Sequence, residues 1–232
     1  MARLLITVAL IFLATSFVVG VLSSKSTSNI QKKDRGSLSW YADVAKEKGQ
    51  REVIIPAPVV SYAVPRSFEE ALAYYSLVVV EPLDHKTHFD NWSVTTWYKF
   101  RLIEELSIPT ETCTYCANIG EAPSDMLPLQ NHEFVTSKSG GEVAIDGIRI
   151  LSSDTDFPVF KKGKRYLLFV SFDTQKTVAA MRMGPWGAFT MDENDRLKAV
   201  NEKFQHPVRD ELTSGVDNSL NRLRNRLNRV KS

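Results

Sequence analysis

Three groups of side chains in this sequence have the types and spacing for chemistry. The first is a pair of cysteines, Cys113 and Cys116, separated by two residues. This spacing suits a local structural disulfide, two ligands of a metal site, or a redox-active dithiol. A redox function needs a lowered thiolate pKa, commonly supplied by a following helix, and Pro109 and Pro123 disfavour such a helix here. We therefore expect a structural disulfide, and the metal and redox alternatives stay open.

The second group is the polar stretch from Asp84 to Asp90. His85 and His88 offer two imidazoles, and either aspartate offers a carboxylate oxygen. These are ligand types that zinc accepts. A short loop with two histidines is also commonly just solvated, so we expect no metal and treat Asp84, His85, His88 and Asp90 as possible ligand-binding residues. The corresponding alternative function is a metal- or thiol-dependent enzyme that uses this stretch or the cysteine pair.

Aromatic and cationic side chains form a third group. Trp97, Lys99 and Arg101 alternate along one predicted strand, and a cationic cluster surrounds a turn at Gly163. Surfaces of this composition bind an anionic strand or a glycan through stacking and charge. Trp186 lies between Gly-Pro and Gly, and it is either a contact residue or a plug over the end of a barrel. We treat Trp97, Lys99, Arg101 and Trp186 as possible ligand-binding residues.

The composition is that of a folded domain, and it excludes several classes of protein. Across 232 residues, 29 basic and 27 acidic side chains give a net charge of +2. This balance argues against a globally basic nucleic-acid binder, so we expect no specific nucleic acid partner. Two cysteines are too few for a disulfide-dense scaffold. The sequence has no phosphate-binding loop and no nucleophile elbow, so we expect no cofactor and no enzymatic activity.

The segment from Leu4 to Leu22 contains 19 residues without a charge and follows Arg3. As a helix it is about 28 Å long, close to the hydrocarbon thickness of a bilayer. It is either a signal peptide, with residues 1–23 removed, or a retained transmembrane anchor. We expect the remaining chain to be extracytoplasmic, membrane-anchored by this helix or secreted after cleavage. Residues 24–66 are predicted to be a polar spacer and a Pro-containing extended lead-in, with a short helix from Trp40 to Lys48.

Strands supply most of the elements that must position the three groups. A capping box at Ser67 and Glu70 predicts a short helix from Phe68 to about Tyr75. Hydrophobic patterning and turn residues then predict strands at residues 76–81, 94–106, 142–145, 148–151, 165–172, 177–183, 188–191 and 196–200. The first two strands are expected to pair through a ten-residue loop, Asp84 to Ser93. Asp146-Gly147 predicts a tight two-residue hairpin.

This strand spacing predicts a mainly β domain over residues 67–200, as a small antiparallel barrel or a sandwich. Residues 201–232 are predicted to be a linker and a basic amphipathic helix starting at Asp217. Residues 218–232 carry +5 and no acidic side chain. The apolar stripe of the helix consists of Leu220, Leu223, Leu227 and Val230. It can pack on the domain, pair with a second copy, or lie on an anionic membrane through residues 217–231 as a membrane-surface association factor.

The stretch from Gly141 to Phe189 contains a series of strand and turn motifs. They are Gly141-Glu142-Val143, Asp154 to Phe160, Gly163-Lys164, Tyr166-Leu-Leu-Phe169 and Gly187-Ala188-Phe189. This pattern resembles uncharacterised bacterial exported proteins with a small OB-like β-barrel domain, and with the strand pair around Ser76–Leu106 it covers about half of the chain. The resemblance implies an exported β domain and transfers no catalytic residue.

The N-terminal apolar segment and a β-rich body without a catalytic constellation together suggest a function. We expect an exported, non-enzymatic binding or interaction module of the envelope or the extracellular space. Its partner is an unknown protein, glycan or lipid, and membrane contact through residues 4–22 is part of this expectation.

Overall fold

A computed structural model describes residues 34–58, 62, 65–111, 121–154, 156–157, 159–203, 205–214 and 218–230. The predicted signal or anchor segment and the pair Cys113 and Cys116 lie outside these residues. The chain from Gly36 onward belongs to one compact unit. Within the described part of the chain, no helix is both long enough and apolar enough to cross a membrane.

The described residues form four α-helices and ten β-strands. The helices are α1 (Leu38–Glu47), α2 (Phe68–Tyr74), α3 (Pro207–Thr213) and α4 (Leu220–Val230). The strands are β1 (Glu52–Pro56), β2 (Ser76–Phe89), β3 (Val94–Ser107), β4 (Glu133–Ser139), β5 (Gly141–Ile145), β6 (Ile148–Ser153), β7 (Arg165–Phe172), β8 (Val178–Met181), β9 (Ala188–Met191) and β10 (Leu197–Ala199). Two short 3-10 turns occupy Ser124–Met126 and Gly184–Gly187.

Five of the strands close into a barrel. β2 pairs with β3, β3 with β4, β4 with β8 and β8 with β7, and β7 pairs again with β2. The predicted small barrel is therefore confirmed, and the sandwich alternative is not what forms. One pair, β4 with β8, is parallel rather than antiparallel. A parallel pair needs a crossover connection, which the chain makes here through β5, β6 and β7.

Aromatic side chains fill the barrel. Phe160 meets Tyr98 and Phe100 of β3 edge-on, each with ring centroids 5.2 Å apart, and Phe134 of β4 stacks on Phe100 at 5.6 Å. The alternation predicted along β3 is confirmed, because residues that share a side with Tyr98 are buried and those between them are less so. A one-residue slip of β3 would turn these rings to solvent, so the core fixes the register.

The outer face of β2, β7 and β9 is buried beneath α2, α3 and α4, which we call the helical layer. Leu77 of β2 and Phe169 of β7 point toward this layer and are fully buried. Because the opposite faces of these strands line the barrel, Leu77–Val80 of β2 and Tyr166–Val170 of β7 form uninterrupted apolar runs. The stripe of α4 packs here, with Leu220, Leu223 and Leu227 at most 5% exposed. Of the three alternatives for this helix, the structure shows packing on the domain.

Helix α3 lies within residues 201–216, which the sequence pattern assigned to linker. His206 caps the helix, because its Nδ1 accepts a hydrogen bond from Val208 N at 3.2 Å, and Pro207 takes the first helical position. Val208 and Leu212 are buried in the helical layer. Histidine is not among the preferred capping residues, so the start of this helix was missed. Asp217, the predicted start of the next helix, lies outside the described residues.

A separate three-stranded sheet, in the order β1-β6-β5, packs against α1. β6 is antiparallel to β5 and parallel to β1. Asp146 and Gly147 have φ values of +50° and +79°, as the predicted two-residue hairpin requires. Residues 24–66, predicted to be spacer and lead-in, thus contain α1 and β1. Ala42 and Ala45 of α1 are buried on this sheet, which gives these elements a core of their own.

The connection from β4 to β5 crosses the end of the β2–β3 hairpin at contact distance. Gly140 and Gly141 have φ values of +90° and +144°. A Cβ on Gly141 would lie 2.4 Å from Thr96 Oγ1, and that hydroxyl donates to Gly140 O at 2.7 Å. Only glycine fits this approach, which positions the small sheet beside the hairpin.

Candidate functional site

The β2–β3 hairpin carries most of the predicted site residues. β2 continues to Phe89, so the predicted ten-residue loop is wrong over residues 84–89, which pair with β3 as a strand. This half of β2 is polar because β7 pairs only with residues 76–80, and solvent reaches the strand beyond that point. A register shift between Pro82 and Asp84 marks a bulge. The alternation of the strand then places neighbouring side chains on opposite faces.

The four predicted ligands do not come together. Asp84 and His88 lie on the face of the hairpin that points away from the barrel interior. His85 lies on the opposite face and stacks on Tyr98 with ring centroids 5.6 Å apart. Asp90 lies in the turn between the strands. Across the described residues, no group of three or more His, Asp or Glu side chains lies close enough to hold a metal ion. The loop-based metal site therefore has no geometry to support it.

The carboxylate of Asp90 organises the turn. Its Oδ1 accepts hydrogen bonds from the backbone N–H groups of Trp92 and Ser93, both at 2.7 Å, and Oδ2 accepts from Ser93 Oγ at 3.0 Å. These bonds hold the pKa of Asp90 below its ordinary value because they stabilise the ionised form. The two backbone hydrogen bonds contribute most to this lowering. Asp90 is thus a structural residue of the turn.

Other predicted residues do share one surface, the outer face of β3 and β4 with the adjoining part of β2, which we call the outer β3–β4 face. The strand register aligns its side chains in rows. The rows are Lys86–Trp97–Ser137, Asp84–Lys99–Val135 and Glu81–Arg101–Glu133. Trp97, Lys99 and Arg101 therefore lie on the same face, with Lys86 beside the tryptophan.

A part of the β3–β4 connection lies across this face. It consists of residues 121–130, which we call the cover segment, and it includes the 3-10 turn Ser124–Met126. Met126 is 1% exposed and packs with Val135 and Val178, with Trp97 against them. Leu127, the next residue, is 47% exposed. One fully buried apolar side chain therefore anchors the cover segment to the barrel, and the partly buried Ala122 and Leu129 pack beside it.

Basic side chains of the face hold the backbone and the carboxylate of the cover segment. Lys86 Nζ donates to Asp125 O at 2.6 Å and lies 3.2 Å from Asp125 Oδ2. His88 Nε2 lies 3.3 Å from Asp125 Oδ1, without the alignment of a hydrogen bond. Lys99 Nζ donates to Pro128 O at 3.2 Å. The outer β3–β4 face thus holds an acidic residue that is followed directly by a buried apolar residue.

Comparisons of this chain with family models, curated proteins and solved structures found no match.

Trp186 lies elsewhere in the molecule, in the 3-10 turn Gly184–Gly187. It stacks on His206 with ring centroids 5.6 Å apart and an interplanar angle of 16°. Burial lowers the pKa of His206, and the positive charge of Arg209 lowers it further, so the imidazole is kept neutral. Trp186 thus braces the start of α3 and contributes nothing to the outer β3–β4 face.

The cationic turn at Gly163 also lies apart from that face. Together with Asp192, Glu193 and Asn194 it borders an open depression of about 470 Å³. Arg165, at the end of this turn, pairs with Asp195 at 2.5 Å. Acidic neighbours therefore offset the positive charge that the sequence pattern had suggested for an anionic ligand.

Sequence reasoning missed the cover segment and the residues that hold it. Lys86 and Asp125 lie 39 residues apart, and nothing in either local sequence connects them. Met126 lies in an irregular stretch without hydrophobic periodicity. The sequence shows only that the apolar Met126 directly follows the acidic Asp125, and without the fold this pair does not indicate a contact with the barrel.

Proposed function

We propose that this chain is an exported, non-enzymatic interaction module, tethered to a membrane or secreted. In this proposal an OB-like barrel binds an extended segment of a partner protein on the outer β3–β4 face. Numbered along the chain as one to five, the barrel strands β2, β3, β4, β7 and β8 follow the order 1-2-3-5-4 around the ring. This order supports the comparison with OB barrels, which bind ligands on the face of their second and third strands. Those strands are β3 and β4 here.

The cover segment is the observation that carries the proposal. It lies across the face as a bound peptide would, with the 3-10 turn Ser124–Met126 placing Met126 against Val135 and Val178 and Asp125 beside Lys86. The face therefore offers an apolar seat and, one residue earlier, a site for a carboxylate. A partner segment with an acidic residue followed by an apolar residue can make the same contacts once the cover segment has lifted. Because the cover segment that occupies the face is itself a peptide, a protein is favoured over a glycan as the partner.

The cover segment is held weakly enough to be displaced. The ion pair of Lys86 with Asp125 joins side chains that are 42% and 46% exposed. Pairs of this exposure contribute about 0–1 kcal/mol. Lifting the segment then costs the burial of Met126 and the partial burial of Ala122 and Leu129, about 2–4 kcal/mol, which is less than unfolding a domain. A partner can meet that cost from its own contacts.

The binding surface is tested with two full-length variants that differ by one position along the cover segment. Met126→Ala empties the apolar seat, whereas Leu127→Ala changes the exposed neighbour and serves as the matched control. The probe is a fluorescent peptide with the sequence of residues 121–130, followed by anisotropy. We expect Met126→Ala to bind this peptide at least about tenfold more tightly than the wild type or Leu127→Ala, because the internal competitor is weakened.

Two results would contradict the proposed surface. The first is equal affinity of the wild type and both variants for the peptide. The second is undiminished binding of a peptide in which the residues matching Asp125 and Met126 are both replaced by alanine. Either result would mean that the contacts seen for the cover segment do not describe a binding site.

Export is tested separately by fractionating cells that express the full chain. The proposal requires the protein in the membrane fraction or in the soluble extracytoplasmic fraction. The intact mass of the mature protein then distinguishes a cleaved signal from a retained anchor. Protein found wholly in the cytoplasm would end the export part of the proposal and leave the peptide-binding result standing.

A further inference from the structure

The turn between β2 and β3 presents two aromatic side chains to solvent. Phe89 is 56% exposed and Trp92 is 54% exposed. The rings of Tyr98 and Phe100 on the same hairpin are buried in the barrel, so the two exposed rings contrast with their neighbours. Isolated exposed apolar residues are common, but two large exposed rings within four residues of one turn indicate a contact surface.

The backbone that carries these two rings is held firmly. The hydrogen bonds of Asp90 close the turn on itself, and Asp90 N donates to Ser93 O at 3.1 Å. Val94, directly after the turn, is fully buried against α1 and its sheet. Little conformational freedom is left for the turn to lose on contact with a second surface, so contact through Phe89 and Trp92 carries a small entropic cost.

The chain enters the domain directly beside this turn. Ser37 caps α1, and Leu38 N donates to Asn91 O at 2.9 Å. Residues 23–36 are the 14 residues between this point and the apolar segment Leu4–Leu22. Fully extended, they span at most about 50 Å, and any shorter conformation brings the turn closer to the end of the apolar segment.

We infer that the β2–β3 turn contacts a lipid bilayer, with Phe89 and Trp92 in the lipid–water interface. The inference depends on the proposed function, because it needs the apolar segment to act as a membrane anchor. Trp and other amphipathic aromatic rings favour the headgroup level of a membrane. Lys32, Lys33 and Arg35 precede the domain in the sequence, and their positive charge is one that anionic headgroups attract.

Fluorescence quenching by lipid tests this contact in the full-length chain. The protein is reconstituted in vesicles of phosphatidylcholine and phosphatidylglycerol, part of which carries bromine on the acyl chains. Bromine quenches the tryptophans that reach the bilayer. The chain has four tryptophans, so we expect a quenched share of about a quarter of the emission, which is lost in Trp92→Phe.

Trp97→Phe is the matched control, since Trp97 lies under the cover segment and should leave the lipid quenching unchanged. Thermal unfolding of Trp92→Phe should match the wild type, because the replaced ring is exposed. Flotation of the vesicles measures the anchor independently. A chain that does not float with vesicles overturns the proposed tether and this inference with it. If the chain floats but lipid quenches the wild type and Trp92→Phe equally, this inference alone is overturned. It is also overturned if lipid does not quench the wild type and the protein instead forms a dimer through the turn in detergent.

Discussion

The barrel has two outer faces that are covered in different ways. Over β2, β7 and β9 lies the helical layer, in which whole apolar stripes such as that of α4 are buried. Over β3 and β4 lies the cover segment, residues 121–130, in which Met126 is the one buried residue among those that the structure describes. The first cover is part of the folded core, and the second is a short segment laid on a finished surface.

This difference separates stability from binding in one domain. Each fully buried large apolar side chain of the helical layer contributes about 1.5–3 kcal/mol, so removing the layer would unfold the protein. The cover segment can leave by local opening, a process that costs much less than global unfolding. The helical layer thus keeps the barrel closed, while the opposite face stays available for exchange between the cover segment and a partner.

Removing Phe68 should give the largest loss of stability. Its ring is 1% exposed, meets Phe169 edge-on at 6.1 Å and has the Arg226 guanidinium 4.7 Å above it. Phe68→Ala leaves a cavity beneath the helical layer, and we expect the free energy of unfolding to fall by about 3–5 kcal/mol in denaturant titration. A loss below about 1.5 kcal/mol would show that the helical layer is not part of the core.

Removing Met126 should cost less and act locally. We expect Met126→Ala to lower the free energy of global unfolding by about 2 kcal/mol or less. Amide exchange should accelerate at Met126 and Leu127, whose N–H groups donate to Pro123 O at 2.9 Å and Ser124 O at 3.2 Å. Amides of β7 should exchange as in the wild type. Equal acceleration in β7 would mean that the cover segment and the helical layer open together.

Much of the helical-layer side of the barrel could be predicted from the sequence. Its strands appear as uninterrupted apolar runs because both of their faces are buried. The predicted cap at Ser67 formed, with Glu70 N donating to Ser67 Oγ at 3.1 Å, but the Glu70 carboxylate accepts from Arg66 N at 2.6 Å, one residue before the position that a capping box requires. The stripe of Leu220, Leu223 and Leu227 indicated a buried helix face, although not which surface would cover it.

The outer β3–β4 face could be predicted only in part. Alternation placed Trp97 and Lys99 on one side of β3, but it could not show what lies over them. The proposed ligand pair His85 and His88 looked close in sequence. In a strand, residues three apart point to opposite faces, and only the extent of pairing with β3 reveals that this stretch is a strand. Contacts between segments far apart in sequence have no local pattern to detect.

The ion pairs of the two faces should differ in strength. Arg226 of the helical layer lies over Phe68 and pairs with Glu69 and with Glu211, the latter at 2.5 Å. We expect Arg226→Gln to lower the free energy of unfolding by about 1 kcal/mol, with a smaller effect at high salt. Arg101→Gln is the control on the other face, where a 54% exposed side chain meets Glu81 at 3.5 Å, and we expect about 0.5 kcal/mol or less. Equal losses would remove the distinction.

Acid should weaken the helical layer through His206. Burial and Arg209 lower the pKa of this imidazole from 6.5, so the unfolded chain takes up the proton more readily than the folded one. The stabilising contribution is therefore complete above about pH 6.5 and is lost as the pH falls toward the folded-state pKa. We expect the thermal midpoint to fall as the pH drops below about 6.5, and His206→Asn to reduce that fall.

Asparagine is the informative replacement because its side chain can also accept the hydrogen bond of Val208 N without titrating. Asp210, which faces His206 from α3, opposes the shift and is present in both proteins. The effect is smaller than that of a core substitution, because it involves one proton on one side chain. An unchanged pH dependence in His206→Asn would show that other groups control the acid response of the helical layer.

Asp125→Asn should have the smallest effect. The exposed contacts of Lys86 and His88 with this carboxylate contribute little to the folded state, so we expect a change within about 0.5 kcal/mol in the free energy of global unfolding. The same change should speed amide exchange at Met126 about two- to threefold, and added salt should do the same in the wild type but not in the variant. A loss above about 1.5 kcal/mol would instead make the carboxylate part of the core. The cover segment would then be as permanent as the helical layer.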